Sequence, residues 1–213
     1  MQDGRAERIG VFGGSFDPVH FGHVRVAECC QRQAQLDFVW LAPTAQQPLK
    51  PSGPAASPED RVAMLELAVG DRADWGVSRV EIDRGGVSYT VDTLREIRRL
   101  APKAELFFMM GADSLVEFPR WKGPAEICRL ATLLVVRRPN SQPPDLTTLS
   151  QFAAMQGAAP LGARLINMTE TPISSSELRG AIAHGEADWR TLTPPEVARY
   201  IESRGLYRPA KHD

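Results

Sequence analysis

The run Ile9-Gly10-Val11-Phe12 is short, apolar and stopped by Gly13-Gly14, and a helical pattern follows it. No other feature constrains the fold as strongly. A buried strand that ends on a glycine pair and feeds a helix is one arm of a parallel sheet, because parallel strands need crossover helices that cover both faces. The same alternation recurs. Helices are predicted over Val24–Ala34, Pro58–Val69, Thr90–Leu100, Ser174–His184 and Pro195–Arg204, with a short one near Glu126. Strands are predicted over Phe38–Ala42, Val77–Ile82, Leu106–Met110, Thr132–Val136 and Arg164–Met168, with a turn over Asp83–Gly86. The proline-rich stretch from about 44 to 58 and the Gln-, Pro-, Thr- and Ala-rich stretch 140–160 read as loops. This pattern predicts an α/β fold: a Rossmann-like, doubly wound parallel sheet with helices on both faces and further helices at the C-terminus.

The length of 213 residues, 43% of them hydrophobic, suits one domain over 1–213 with a core at about 8–207. With 25 basic against 26 acidic residues, the chain lacks the cationic excess of a general nucleic-acid or membrane-surface binder. A small polyanion stays possible, since a local cluster of cations suffices for it. Cys29 and Cys30 are adjacent, a poor geometry for a mutual disulfide, and Cys128 is alone. This usage fits a reducing compartment. Met1 to Arg8 is polar and no apolar signal region follows, so a soluble, cytoplasmic protein is expected.

In a doubly wound sheet, ligands bind at the carboxyl ends of the strands near the switch in strand order. The loops after Phe12, Ala42, Met110 and Val136 are therefore the candidates. They carry Gly13-Gly14, Lys50, Gly111-Ala112-Asp113 and Arg137-Arg138-Pro139. In the first loop, Gly13 and Gly14 permit a sharp turn and close approach of a ligand. The following helix offers unpaired N–H groups and the positive end of its dipole. His20 and His23 stand three apart at that helix start, both rings on one face, each able to carry charge near neutral pH. A phosphate group fits this set. Two alternatives stay open: a turn with two surface histidines, or a metal site, for which no third His, Cys or Glu is suitably placed nearby. Ser174, Ser175 and Ser176 precede a second helix whose Arg179 lies one turn inside, which reads either as an anion site or as an ordinary capped surface helix.

The segment Gly13-Gly14-Ser15-Phe16-Asp17-Pro18-Val19-His20-Phe21-Gly22-His23 closely resembles the G-G-x-F-D-P-x-H-x-G-H signature of the nucleotidyltransferase superfamily. From about Arg8 to Tyr207 the chain resembles the bacterial nicotinate-nucleotide adenylyltransferases. Further motifs carry this: Arg61-Val62-Ala63-Met64-Leu65, Ser88-Tyr89-Thr90-Val91-Asp92-Thr93-Leu94, Gly111-Ala112-Asp113 with Trp121, Ile173-Ser174-Ser175-Ser176-Glu177-Leu178-Arg179, and the closing stretch from Pro195 to Tyr207.

The resemblance implies transfer of an adenylyl group from ATP to nicotinate mononucleotide, giving nicotinate adenine dinucleotide and pyrophosphate, in NAD biosynthesis. It implies ATP contacts from Gly13, Gly14, Ser15, Phe16, His20, His23, Lys50, Gly111, Ser175, Ser176 and Arg179, with His20 and His23 acting at the phosphates. It implies contacts to nicotinate mononucleotide from Ser15, Tyr89, Thr90, Asp113, Trp121 and Arg138. Mg2+ would enter bound mainly through the ATP phosphates, with no dedicated protein cage. Two departures stand out. Gln47-Pro48-Leu49-Lys50 replaces the family's P-P-H-K, so Leu49 cannot act as a histidine would, and Asn140 replaces the glycine of R-P-G. Trp121 also reads as a core residue, Thr90 as a helix cap and Asp113 as a turn residue. A nicotinamide- or pantetheine-phosphate-using enzyme of the superfamily, or a non-catalytic nucleotide-binding regulator, remain the competing functions.

Overall fold

In a computed structural model, which describes residues 6–47, 53–137, 144–147, 149, 162–168 and 173–209, the alternating runs become six parallel strands. These are β1 (Arg8–Gly14), β2 (Phe38–Pro43), β3 (Trp75–Val77), β4 (Glu105–Gly111), β5 (Thr132–Arg137) and β6 (Ala163–Asn167). Their order across the sheet is β3-β2-β1-β4-β5-β6, with every neighbouring pair parallel. The order reverses between β1 and β4, so the loops leaving Gly14 and Gly111 flank the crevice where such sheets bind ligands.

The helices are α1 (Phe21–Ala34), α2 (Pro58–Val69), α3 (Val80–Arg84), α4 (Thr90–Leu100), α5 (Ser114–Glu117), α6 (Pro124–Leu130), α7 (Ser175–His184) and α8 (Pro195–Arg204), with short 3-10 turns at Phe118–Arg120 and Ala187–Leu192. Strand side chains alternate between two cores. Phe12, Phe107, Met109, Leu134 and Val136 pack under α1, α2, α7 and α8, while Val11, Leu106, Phe108, Leu133 and Val135 pack under α4 and α6. Burying both faces explains why these strands read as continuous apolar runs. Among the described residues no helix is long and apolar enough to cross a membrane.

One predicted strand is wrong. Val77–Ile82 was expected to be extended, but the edge strand β3 ends at Val77 and residues Val80–Arg84 form a helix. The last ladder bond runs from the Ser78 N–H to the Leu41 carbonyl, after which Arg79 turns the chain at φ −86°, ψ 1°. The alternation of Val80, Glu81 and Ile82 misleads because its polarity is inverted: Glu81 is the buried residue. Elsewhere the differences are at boundaries, apart from α5 and the two 3-10 turns, which the sequence pattern did not predict. The first helix starts three residues early, at Phe21, because His20 caps it; β6 is shifted one residue towards the N-terminus. Ser57 caps α2 through the Asp60 N–H at 3.0 Å, with Pro58 in the first turn.

Candidate active site

β1 carries Gly13 and Gly14 to its carboxyl end, level with Ala42 and Pro43 of β2. The chain then runs through Ser15–Val19 to His20, the N-cap of α1. Phe16 takes a positive φ of 47° and buries its ring completely, edge-on to Phe12 at 5.4 Å and to His23 at 4.9 Å. The two imidazoles, predicted to share a face, do more than that: they stack, with centroids 3.8 Å apart and planes 25° from parallel. Gly22 makes this possible. A Cβ there would lie 2.9 Å from His20 Nδ1 and 3.3 Å from the Ile173 carbonyl oxygen, so a side chain would push the ring off the helix start or push the lead-in to α7 away.

The stacking changes the charge expected of this pair. His23 is enclosed by Phe12, Phe16 and His20, although one edge of the residue stays partly exposed. Burial, and then repulsion from His20, hold its pKa well below the ordinary histidine range. It is therefore neutral at pH 7 rather than half-charged. Its Nδ1 accepts the His20 N–H at 3.3 Å, which places the ring proton on Nε2 and makes that nitrogen a donor.

The loop before His20 is held from behind. Arg61 Nη1 donates to the Ser15 carbonyl at 2.8 Å, Arg179 Nη1 to the Asp17 carbonyl at 2.6 Å, the Ser175 hydroxyl to the Pro18 carbonyl at 3.0 Å, and the Thr193 hydroxyl to the Val19 carbonyl at 2.8 Å. In a trans peptide the N–H of the next residue points opposite to the carbonyl. Arg61 thus sets the direction of the Phe16 N–H, and Thr193 that of the His20 N–H, which in turn sets the His23 tautomer. Asp17, almost fully buried, would repel a phosphate if it faced the cradle. Instead its carboxylate accepts from the Ala55 N–H at 2.7 Å, the Ala56 N–H at 3.0 Å and the Tyr207 hydroxyl at 2.8 Å. Burial and the neighbouring Asp17 charge push the Tyr207 hydroxyl well above its ordinary pKa, so it remains a donor at all physiological pH values.

Beneath the loop lie two more buried charged groups. Arg61 is fully buried, and among the described residues its Nε and Nη2 find no hydrogen-bond partner. Glu81 is 3% exposed, and it accepts the Thr93 hydroxyl at 2.6 Å on Oε1. Burial raises the Glu81 pKa, opposed by the hydroxyls of Ser88 and Thr93 and by the charges of Arg84 and Arg61.

At α7, Ser174 and Glu177 form a reciprocal cap, the Glu177 N–H donating to the Ser174 hydroxyl at 3.1 Å. With the Ser175 hydroxyl engaged at Pro18 and the Ser176 hydroxyl accepting from Arg179 at 3.3 Å, what both serines present at the helix start is backbone N–H. Arg179 lies 3.7 Å from the Asp17 carboxylate and is one-third exposed, so its guanidinium borders the cradle.

Across the switch point, no described residue lies within 4 Å of where a Cβ on Gly111 would stand. Asp113 is exposed at the start of α5. Tyr89 caps α4 and Thr90 is its first residue, both partly buried. Trp121 packs partly into the core, 5.4 Å from Phe118 and 6.1 Å from Phe108, and keeps an exposed portion. Next to it, Lys122 sits 4.5 Å over the Tyr89 ring and pairs with Asp92 at 2.9 Å. Lys50 and Arg138 lie outside the described residues, as do Leu49 and Asn140. Sequence spacing did not reveal Arg61, Glu81, Thr193 or the Asp17–Tyr207 bond. Arg61 appeared only as the first letter of a motif, and partners 12 to 190 residues apart leave no local signal.

The donors converging on the cradle are imidazole, guanidinium and backbone N–H, a set that suits phosphate oxygens. Among the described residues no group of three or more His, Cys, Asp or Glu is arranged to hold a metal ion.

The chain is similar to known proteins. The cytidylyltransferase-like family matches residues 11–181. The probable nicotinate-nucleotide adenylyltransferase of Roseiflexus castenholzii is 41% identical over 94% of this chain and 98% of its own length. That of Streptomyces coelicolor is 40% identical over 92% and 98%. A solved Plasmodium falciparum nicotinic acid mononucleotide adenylyltransferase complexed with NaAD shares the fold, with a TM-score of 0.76 at 19% identity, over 94% of this chain and 97% of that one. From its cradle, its strand order and these relatives, the chain belongs to the cytidylyltransferase-like family and, within it, to the nicotinate-nucleotide adenylyltransferases.

Proposed function

We propose that the protein joins nicotinate mononucleotide to ATP, releasing pyrophosphate and forming nicotinate adenine dinucleotide, a step of NAD biosynthesis. The observation that carries this is the stacked His20–His23 pair at the start of α1, beside a loop whose carbonyls are tied back by four side chains. Such a loop offers amide donors to an anion at no cost of reorganisation.

A phosphate oxygen of the mononucleotide attacks the α-phosphorus of ATP. The bond from that phosphorus to the oxygen bridging to the β-phosphate breaks, and pyrophosphate leaves with the electron pair. The nucleophile is already an anion, so no protein base is needed. The work is positioning and stabilising charge on the phosphate oxygens. Nε2 of His23 donates to the α-phosphate, His20 supports the triphosphate, and Gly13, Gly14, Ser15 and Phe16 line it with backbone. Arg179 and the amides of Ser175 and Ser176 take the β- and γ-phosphates, with Lys50 joining from its loop by family resemblance. Gly111 gives the nucleotide room. On the other side Trp121 stacks on the pyridine ring, Thr90 meets its polar substituent beside Tyr89, Asp113 accepts from a ribose hydroxyl, and Ser15 and Arg138 contact the rest of the mononucleotide. Mg2+ enters as part of the substrate, held by ATP phosphates and water, which suits its reluctance to shed its hydration shell.

The test is pyrophosphate release from ATP and Mg2+ with nicotinate or nicotinamide mononucleotide supplied separately. Turnover with the nicotinate compound at a higher kcat/KM is expected. Turnover with neither compound would leave only nucleotide binding.

A further inference from the structure

Asp17 sits in the middle of the cradle loop and is joined directly to three distant stretches of chain. Its carboxylate is almost fully buried. Oδ2 accepts the Ala55 N–H at 2.7 Å, and Oδ1 accepts both the Ala56 N–H at 3.0 Å and the Tyr207 hydroxyl at 2.8 Å. Ala55 and Ala56 lead into α2, whose Arg61 holds the Ser15 carbonyl. The Asp17 carbonyl accepts Nη1 of Arg179 at 2.6 Å, and the same guanidinium lies 3.7 Å from Oδ2. One residue thus ties the cradle to the entry of α2, to α7 and to the C-terminal stretch. Tyr207 adds a second, independent sign. It holds a φ of 64°, in the left-handed region that a residue with a Cβ seldom adopts. Glycine is the usual occupant, as at Gly205, which ends α8 with a φ of 63°. A strained residue persists only where its surroundings over-determine it. Here the ring packs against the core and the hydroxyl ends on Asp17.

Resting on the adenylyl-transfer reading for the identity of the anion, we propose that Asp17 and Tyr207 are positioning residues for the triphosphate, a clasp by which the C-terminal stretch sets Arg179 and the cradle loop at one spacing. A triphosphate that spans the cradle amides and the Arg179 guanidinium binds best when both are in place beforehand, because groups already ordered lose little freedom on binding. With the clasp open, ATP itself must order the loop, and its affinity falls. Tyr89, Thr90, Asp113 and Trp121 lie across the switch point and make no contact with the clasp, so the mononucleotide keeps most of its contacts. The loss therefore falls on ATP and spares the second substrate.

The experiment is calorimetric titration of the whole protein with ATP and Mg2+, without mononucleotide so that nothing turns over, with circular dichroism to verify folding. Tyr207→Phe removes only the hydroxyl. It is expected to raise the Kd for ATP at least about threefold, with the KM for nicotinate mononucleotide within about twofold of wild type. Tyr200→Phe is the matched control: its hydroxyl also donates to a carboxylate, Asp60, at 2.9 Å from the same end of the chain, but it does not touch Asp17. Its ATP affinity should stay within about twofold of wild type. Asp17→Asn should weaken ATP binding in the same sense, and adding Tyr207→Phe to it should cost little more, since the contact is already broken. A folded Tyr207→Phe with a smaller rise in Kd would overturn the proposal, whatever its melting temperature, because that marks a purely structural bond. Equal losses in Tyr200→Phe, equal rises for both substrates, or losses that multiply in the double variant would overturn it too. If Asp17→Asn does not fold, the two tyrosine variants decide alone. Wild-type protein separates the two levels: no ATP binding there removes the reading and the inference together. ATP binding without turnover removes the reaction and leaves the clasp to be judged on the ATP affinities, and an active wild type with unaffected variants removes the inference alone.

Discussion

The two halves of the candidate site are anchored by different physics. The phosphate half is tied from behind by buried Arg61 and Thr193 and by half-buried Ser175 and Tyr207, which arrive from α2, the turn at Thr193, α7 and the C-terminal stretch. The mononucleotide half is held at its rim by exposed ion pairs, Lys122 with Asp92, Asp92 with Arg95, and Arg95 with Glu126. Trp121 and Tyr89, the recognition residues proposed above, also pack against the core. The lesson is that the reaction type is built into a rigid part of the fold, while the identity of the second substrate rests on a few partly exposed side chains.

His23→Ala gives the largest expected effect. Removing one preorganised donor from a site of this kind costs about 10²–10³ in turnover. Because His23 is neutral and already oriented by the His20 N–H, the catalytic loss should fall on kcat, alongside a drop in stability from the ring packing lost against Phe12, Phe16 and His20. A folded His23→Ala protein within tenfold of wild-type kcat would show that the cradle's amides, not the imidazole, carry the charge.

Tyr207→Phe asks whether the tethers of the cradle are as strong as their burial implies. It removes the hydroxyl that Asp17 accepts at 2.8 Å, leaving a buried carboxylate one donor short. Hydrogen bonds to charged groups are worth about 1.5–3 kcal/mol, and that much loss is expected in urea unfolding. A change under about 0.5 kcal/mol would mean that the Ala55 and Ala56 N–H groups suffice.

These two residues also mark how far the sequence could be read. The cradle itself was legible because its groups lie within eleven consecutive residues: two glycines after a strand, and two histidines at a helix start. The strand–helix alternation was legible because both faces of the sheet are buried, which leaves apolar runs. The tethers were not, since a tyrosine 190 residues from its aspartate carries no local mark. Nor was the inward turn of Glu81, where period-two alternation pointed the wrong way and the buried group is the charged one. The mutual stacking that keeps His23 neutral depends on the close fit over Gly22, which spacing alone does not show.

On the mononucleotide side, Trp121→Ala tests substrate identity more than rate. Stacking of a base on an aromatic side chain is worth about 1–3 kcal/mol, so the KM for nicotinate mononucleotide should rise about five- to hundredfold while that for ATP moves little. Equal rises for both substrates would assign Trp121 to the core, through its packing on Phe108 and Phe118.

The smallest effect is expected at Lys122, and it is the one that can break the comparison. Lys122→Met removes the pair with Asp92 and the cation over the Tyr89 ring while keeping an apolar stem of similar length. Lys122 is about half exposed, at 49%, and surface pairs of this kind contribute about 0–1 kcal/mol. At roughly 1 M salt the Debye length shrinks to about 3 Å, so the difference between wild type and variant should vanish there. Urea unfolding at low and high salt measures this directly. If Lys122→Met costs as much as Tyr207→Phe, and keeps that cost in high salt, then the rim of the mononucleotide half is as firmly built as the phosphate cradle. Substrate choice would then be set by the scaffold as much as by exposed side chains.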